Sequence, residues 1–250
     1  MTLPDFTLTQ WLLAVVAGFC AGFSKAGMAG LGMLCVMIMA HVIRGPASSG
    51  AVLPLLIFAD IMAAGFFRQQ ILWPQIRRLA LPILAGIGAG SVILYHMPKE
   101  AFQPVVGWMV LGMLSLQALR YFRPGLAEGL PHSRGFVWGV GLLTGMSTMI
   151  ANAAGPIATI YLLLVGLPKK EFIATMAWLF LFVNLAKVPF SMALGLISVE
   201  SFTLNLVLLP AVAAGLLAGR YFIERLPQRL FMWIILSFAA ISAMKLIWFS

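Results

Sequence analysis

Long apolar runs follow one another almost from end to end of this chain, and they decide what it can become. They fall at 10–23, 28–43, 46–67, 77–95 and 101–121, then at 135–149, 156–167, 170–193, 200–222 and 228–249. Most are long enough to cross about 30 Å of hydrocarbon. Inside a bilayer no water satisfies the backbone, so a spanning segment must be a helix or part of a closed barrel. The period-two alternation of a barrel strand is absent, so the sequence predicts an all-α integral membrane protein.

Composition agrees. The chain is 62% hydrophobic and 9% charged, with a mean hydropathy of +1.03, whereas soluble domains are about 25% charged. The net charge of +9 is scattered through short loops. That pattern points to membrane orientation, not to a nucleic-acid surface. Cys20 and Cys35 both sit in apolar runs and read as small hydrophobes, with no disulfide, metal or cofactor implied. Asp5 with no early Lys or Arg argues against a cleaved signal peptide.

A polar linker with two prolines, 123–134, divides the chain into halves at 1–122 and 135–250. The halves correspond residue by residue. An offset of 123 carries Gly18, Gly22, Ser24 and Gly32 onto Gly141, Gly145, Ser147 and Gly155. An offset of 124 carries Phe58, Asp60 and Phe66 onto Phe182, Asn184 and Phe190, and 129 carries Gly86 and Gly90 onto Gly215 and Gly219. These glycine pairs are spaced for close helix contact.

Charge counting then selects a topology. Four plain spans per half would place seven basic residues on each side, with no bias. A different arrangement makes the first two runs of each half a hairpin that enters and returns. It gathers Arg68, Arg77, Arg78, Arg120, Arg123, Arg134, Lys169, Lys170, Arg220, Arg225 and Arg229 on one face. Arg44, Lys99 and Lys245 lie opposite. The positive-inside tendency favours the hairpins. The expected fold is therefore two inverted four-element repeats, each a broken or re-entrant helical hairpin plus three transmembrane helices. Both termini are expected to be non-cytoplasmic.

Lys25 and Lys187 are the two cations left over, and both interrupt apolar runs. A charge at bilayer depth costs on the order of 3 kcal/mol or more and tends to mark a pathway. Lys25 stands in Gly22-Phe-Ser-Lys-Ala-Gly27, a helix-breaking stretch. A helix restarting there would offer the N–H groups of Ala26, Gly27, Met28 and Ala29 to an anion, with the Ser24 hydroxyl alongside. The alternative is a lysine that snorkels to the surface. The second break, Met149 to Pro156, offers Ser147, Thr148 and Asn152 without a charge, and Gly155 or Asn152 is expected to cap the helix after it. The alternative there is an ordinary span kinked at Gly155-Pro156. Lys187 follows Asn184 by three residues on one helical face. Asp60 is the single acid within a span; it serves either to pair with Lys25 or Lys187 or to carry a coupling proton. His41, near Arg44, reads as interfacial.

Taken together, Gly22-Phe-Ser-Lys-Ala-Gly27, Pro54-Leu-Leu-Ile-Phe-Ala-Asp60 and Phe67-Arg-Gln-Gln70 with Trp73 resemble the sulfite exporter TauE/SafE family of membrane anion permeases. The likeness extends over essentially the whole chain. It implies ATP-independent export of sulfite or a related organosulfur or carboxylate anion, with Ser24, Lys25 and Asp60 as the family-like positions. The chain has Gly27-Met-Ala-Gly-Leu-Gly32 where the wider family has a denser glycine run.

The expected substrate-binding set is Ser24, Lys25, Ala26, Gly27, Met28, Ser147, Thr148, Asn152, Asn184 and Lys187, with Asp60 as ion pair or coupling group. The anion would sit at mid-membrane while the inverted halves rock around it. Rival readings are a coupled importer, an anion channel and, last, a Ser24/Lys25 intramembrane hydrolase. The expected partners are a small anion and the lipid bilayer of the cell membrane, and a homodimer is compatible with the sequence.

Overall fold

The computed structural model describes residues 6–26, 47–96, 133–152, 154–197 and 199–227, with single helical residues between 32 and 43, 108 and 115, and 229 and 244. Among the described residues all regular structure is helical. Seven helices are delimited: α1 (Leu8–Ser24), α2 (Ala47–Phe66), α3 (Trp73–His96), α4 (Arg134–Ala151), α5 (Ala154–Val165), α6 (Lys169–Ala193) and α7 (Val199–Arg225). The apolar runs thus fold as expected wherever they are described. Most of 101–121, of the linker and of 228–249 lies outside the described residues, as do His41, Arg44 and Lys99.

Trp73–Ile93, Lys169–Ala193 and Ser201–Arg225 are long and apolar enough to cross a membrane, and Leu8–Ser24 and Val52–Phe66 are shorter apolar helices. Large apolar side chains point outward, among them Leu12 on α1, Leu81 and Val92 on α3, and Leu217 on α7. In water such a surface would be a liability, whereas acyl chains solvate it. At its start α1 is fixed by a capping box. The Thr7 hydroxyl accepts from the Gln10 amide at 3.3 Å, and Gln10 Oε1 accepts from the Thr7 amide at 2.9 Å.

Two helix pairs make the most extensive contacts, α1 with α7 and α3 with α4. Both seams are built from glycine. A Cβ at Gly22 would lie 1.9 Å from the Val212 carbonyl oxygen, and one at Gly215 would lie 2.1 Å from that of Phe19. Across the other seam, a Cβ at Gly86 would lie 2.3 Å from the Leu142 oxygen and one at Gly145 would lie 2.2 Å from the Ile83 oxygen. Backbone meets backbone there, so any side chain would force the helices apart. Contacts advance in the same direction on both members: Gly18 faces Leu208 and Gly22 faces Val212, while Pro82 faces Gly141 and Met146 faces Gly90. Each pair is therefore parallel, and each joins a helix from before the linker to one from after it.

One end of the molecule collects the C-termini of α2 and α7 and the N-termini of α3 and α6. The Leu72 amide donates to Thr175 Oγ1 at 3.0 Å. The Lys169 ammonium caps α7 by donating to the carbonyls of Ile223 and Leu226. The Arg220 guanidinium lies 5.4 Å from the Phe66 ring centre, and Trp73 packs edge-on against Trp178. Arg68, Arg77 and Arg78 consequently share an end with Lys169, Lys170, Arg220 and Arg225. A plain succession of spans would have separated these two groups.

Candidate functional site

A helix ends at each of the two sequence-predicted breaks. At the first, α1 ends at Ser24 with Lys25 as its C-cap in right-handed helical geometry. The Ala26 amide is already spent on the Phe23 carbonyl at 3.2 Å, so it closes α1 and is not free for a ligand. Gly27, Met28 and Ala29 lie outside the described residues. The Ser24 hydroxyl donates to the Ala21 carbonyl at 2.7 Å, the usual back-bond of a helical serine.

The second break differs from expectation in one respect. Asn152 is the C-cap of α4, not the N-cap of α5, and it adopts the left-handed conformation (φ 50°, ψ 31°). Asparagine tolerates this region better than most residues. The α5 helix is already under way at Ala154, so Gly155 and Pro156 fall within its first turn. Proline is acceptable there because its missing N–H would have had no helical partner. Ser147 donates to the Thr144 carbonyl at 3.1 Å, leaving its hydroxyl, like that of Ser24, turned toward its own helix.

The charged side chains meet between the breaks. Lys25 Nζ lies 2.8 Å from Asp60 Oδ1 and 4.9 Å from the centre of the Phe180 ring, a cation–π distance. Asn184 Nδ2 donates to the other carboxylate oxygen, Oδ2, at 2.6 Å. Of the two pairings open to Asp60, the structure selects Lys25. Lys187 turns instead to the second break. Its ammonium donates to the Thr148 carbonyl at 2.8 Å and to Asn152 Oδ1 at 2.5 Å, with Thr148 Oγ1 at 3.4 Å. Asp60 is 0% exposed, Lys187 2% and Asn184 3%.

Electrostatically the cluster is unbalanced. Taking an ion out of water costs several kcal/mol even after relaxation. Lys25 and Asp60 offset one another, whereas the partners of Lys187 are neutral acceptors. Among the described residues no carboxylate pairs with Lys187, so the cluster holds two lysine amines and one carboxyl group.

A cavity of about 50 Å³ adjoins the cluster, lined by Ser24, Lys25, Thr148, Asn152, Gly155, Phe180 and Asn184, among others. One water needs roughly 10–15 Å³ on this scale, so a few waters or one small anion fit. Lys25 lines this cavity while its ammonium stays within ion-pair distance of Asp60. The sequence reading missed Val36, Leu56, Met176, Ala177 and Phe180 in the wall. Ala177, Phe180 and Asn184 follow helical spacing, so tracing the polar face of α6 back from Asn184 would have found them. Ser24 and Lys25 point to different partners, so no serine–lysine nucleophile pair is assembled.

Among the described residues, helices that end beside buried ionisable side chains and carry lipid-suited outer faces fit a membrane transport protein. The chain belongs to the sulfite exporter TauE/SafE family, whose model matches residues 14–246. No curated protein and no solved structure matches it.

Proposed function

We propose that the protein is a secondary transporter that exports sulfite or a related small organosulfur anion, bound between the two helix breaks. The observation that carries this reading is a cavity of anion size lined by Lys25, Thr148 and Asn152, the last two of which accept from the buried Lys187, a lysine with no carboxylate partner among the described residues. A monoanion bound there supplies the counter-charge that the second lysine lacks. An interior-negative membrane potential favours outward movement of a monoanion by about 2.3 kcal/mol per 100 mV, so export needs no ATP.

The topology proposed is two inverted repeats, 1–122 and 135–250, joined by the linker. Two features support it: equivalent glycines form both seams, and the basic residues around Arg68 share an end with those around Lys169 and Arg220. In that arrangement α4 and α5 form a re-entrant hairpin, the basic end faces the cytoplasm and both termini face away from it. Alternating access then moves the seam-bonded pairs, α1 with α7 and α3 with α4, relative to each other, exposing the cavity to one side at a time.

The test is sulfite efflux from proteoliposomes under an imposed potential. Lys25→Met and Lys187→Met should each lower the rate at least tenfold, with protein correctly folded by size-exclusion profile. Undiminished flux in both variants would overturn the anion site. Flux that instead requires an inward proton gradient would favour the coupled importer, with Asp60 as proton carrier.

A further inference from the structure

A second, larger cavity of about 880 Å³ lies at the basic end, between the ends of α2, α6 and α7. Lys169, Lys170 and Arg220 line it, as do Glu171, Glu224 and the amide side chain of Gln70. Arg220 is paired with Glu224 at 2.7 Å. Lys170 is exposed in the cavity wall. The opening thus sets charged and amide side chains among apolar ones such as Phe66, Ile173 and Ile223.

This outer cavity and the inner one share the same helix wall. Ala174 lines the outer cavity and Ala177 lines the inner. Three residues correspond to about 4.5 Å of helix. A small apolar cluster reaches both walls: Ala63 from α2, Ala177 from α6 and Leu216 from α7, with Met62 and Phe67 packed against it. Phe67 belongs at once to this cluster and to the wall of the outer cavity. Two of the three buried members are alanines, so the partition is thin. Ala63 is also three residues from Asp60, one helical turn away from the ion pair.

We propose that the outer cavity is the port through which the anion reaches the inner site from the basic end, and that Ala63, Ala177 and Leu216 with Phe67 form the seal between them. This rests on the inner cavity being the anion site. An apolar constriction stops an ion because it stays dry, and it conducts when its walls part enough to wet. Here the walls come from different bodies. Leu216 rides on α7, held to α1 by the Gly22 and Gly215 contacts, whereas Ala63 and Ala177 ride on α2 and α6. A small displacement of the α1–α7 pair opens the seal without disturbing either glycine seam.

The route is tested by cysteine labelling in the full-length protein with Cys20→Ala and Cys35→Ala. Single variants Lys170→Cys, Ala174→Cys and Ala177→Cys are exposed in oriented vesicles to a membrane-impermeant, negatively charged thiosulfonate. Lys170→Cys marks the port side. Ala174→Cys should react from that side at a similar rate, and Ala177→Cys from the same side but at least tenfold more slowly. Adding Leu216→Ala should accelerate labelling at 177. Equal rates at 174 and 177, or labelling of 177 only from the opposite side, would overturn the seal.

In parallel, Ala63→Leu should lower sulfite flux at least tenfold while sulfite still shifts the melting temperature. Ala63→Val serves as a milder variant if Ala63→Leu does not fold. Unimpaired flux in a folded variant would count against the seal. A wild-type protein whose melting is indifferent to sulfite would instead sink the anion-site reading, and the labelling pattern would still report on the route.

Discussion

Asn184 donates its side-chain amide to Asp60 at 2.6 Å, across the same 124-residue offset that carries Phe58 onto Phe182 and Phe66 onto Phe190. An acid at both places would set carboxylates against each other, and an amide at both would leave Lys25 with no counter-charge. One of each supplies a single negative charge and a donor to hold it. The lysines are likewise divided: Lys25 extends from a break to α2, whereas Lys187 extends from α6 to a break.

Asp60→Asn should be severely destabilising, because it strands a buried ammonium. Breaking a buried pair on one side costs about 3–5 kcal/mol. Adding Lys25→Met should recover most of the loss. Melting temperatures of the two single variants and the double variant in detergent check this. Additive losses would mean that the pair is not coupled.

Lys187→Met and Lys25→Met should separate in stability although both impair transport. The first leaves only neutral acceptors without their donor, at about 1–3 kcal/mol. The second leaves the Asp60 carboxylate without its cation and should cost more. Denaturation in matched detergent gives the order directly, and a reversed order would contradict the charge assignment.

Asn152→Asp places a carboxylate where the Asn152 oxygen already receives the Lys187 ammonium at 2.5 Å. Aspartate has nearly the same shape and also tolerates the left-handed backbone found at this position. The cluster becomes electrically balanced, so sulfite affinity should fall at least tenfold with little loss of stability. Thermal shift against sulfite concentration measures both effects. Unchanged affinity would show that net charge does not govern binding.

Much of this arrangement could be read from the chain, for identifiable reasons. Both breaks were legible because glycine, serine, proline and a lone lysine are poor continuations of an apolar helix. Lys187 and Asn184 shared a face by spacing alone. The choice of partner for Asp60 was not legible, since both lysines were available and only the packing of α1 against α2 and α7 decides. The hydroxyls of Ser24 and Ser147 read as ligand donors, yet each bonds its own helix, because a local carbonyl is always within reach. Phe180, an apolar residue in an apolar run, was legible only through its helical spacing from Asn184.

The glycines offer a graded test. Gly22→Ala and Gly145→Ala place a Cβ about 2 Å from backbone oxygen and should abolish the folded protein. Gly65→Ala and Gly88→Ala meet nothing within 4 Å and should be neutral or stabilising by up to about 1 kcal/mol. Yield and melting temperature distinguish the two classes. Equal tolerance at all four positions would refute the close approach.

The seams also bear on where such a chain can be cut. A fragment ending in the linker would keep α1 and α3 but lose α7 and α4, exposing two naked grooves with no side chains to fill them. Neither fragment is then a self-sufficient module, and reconstitution requires both to be made together.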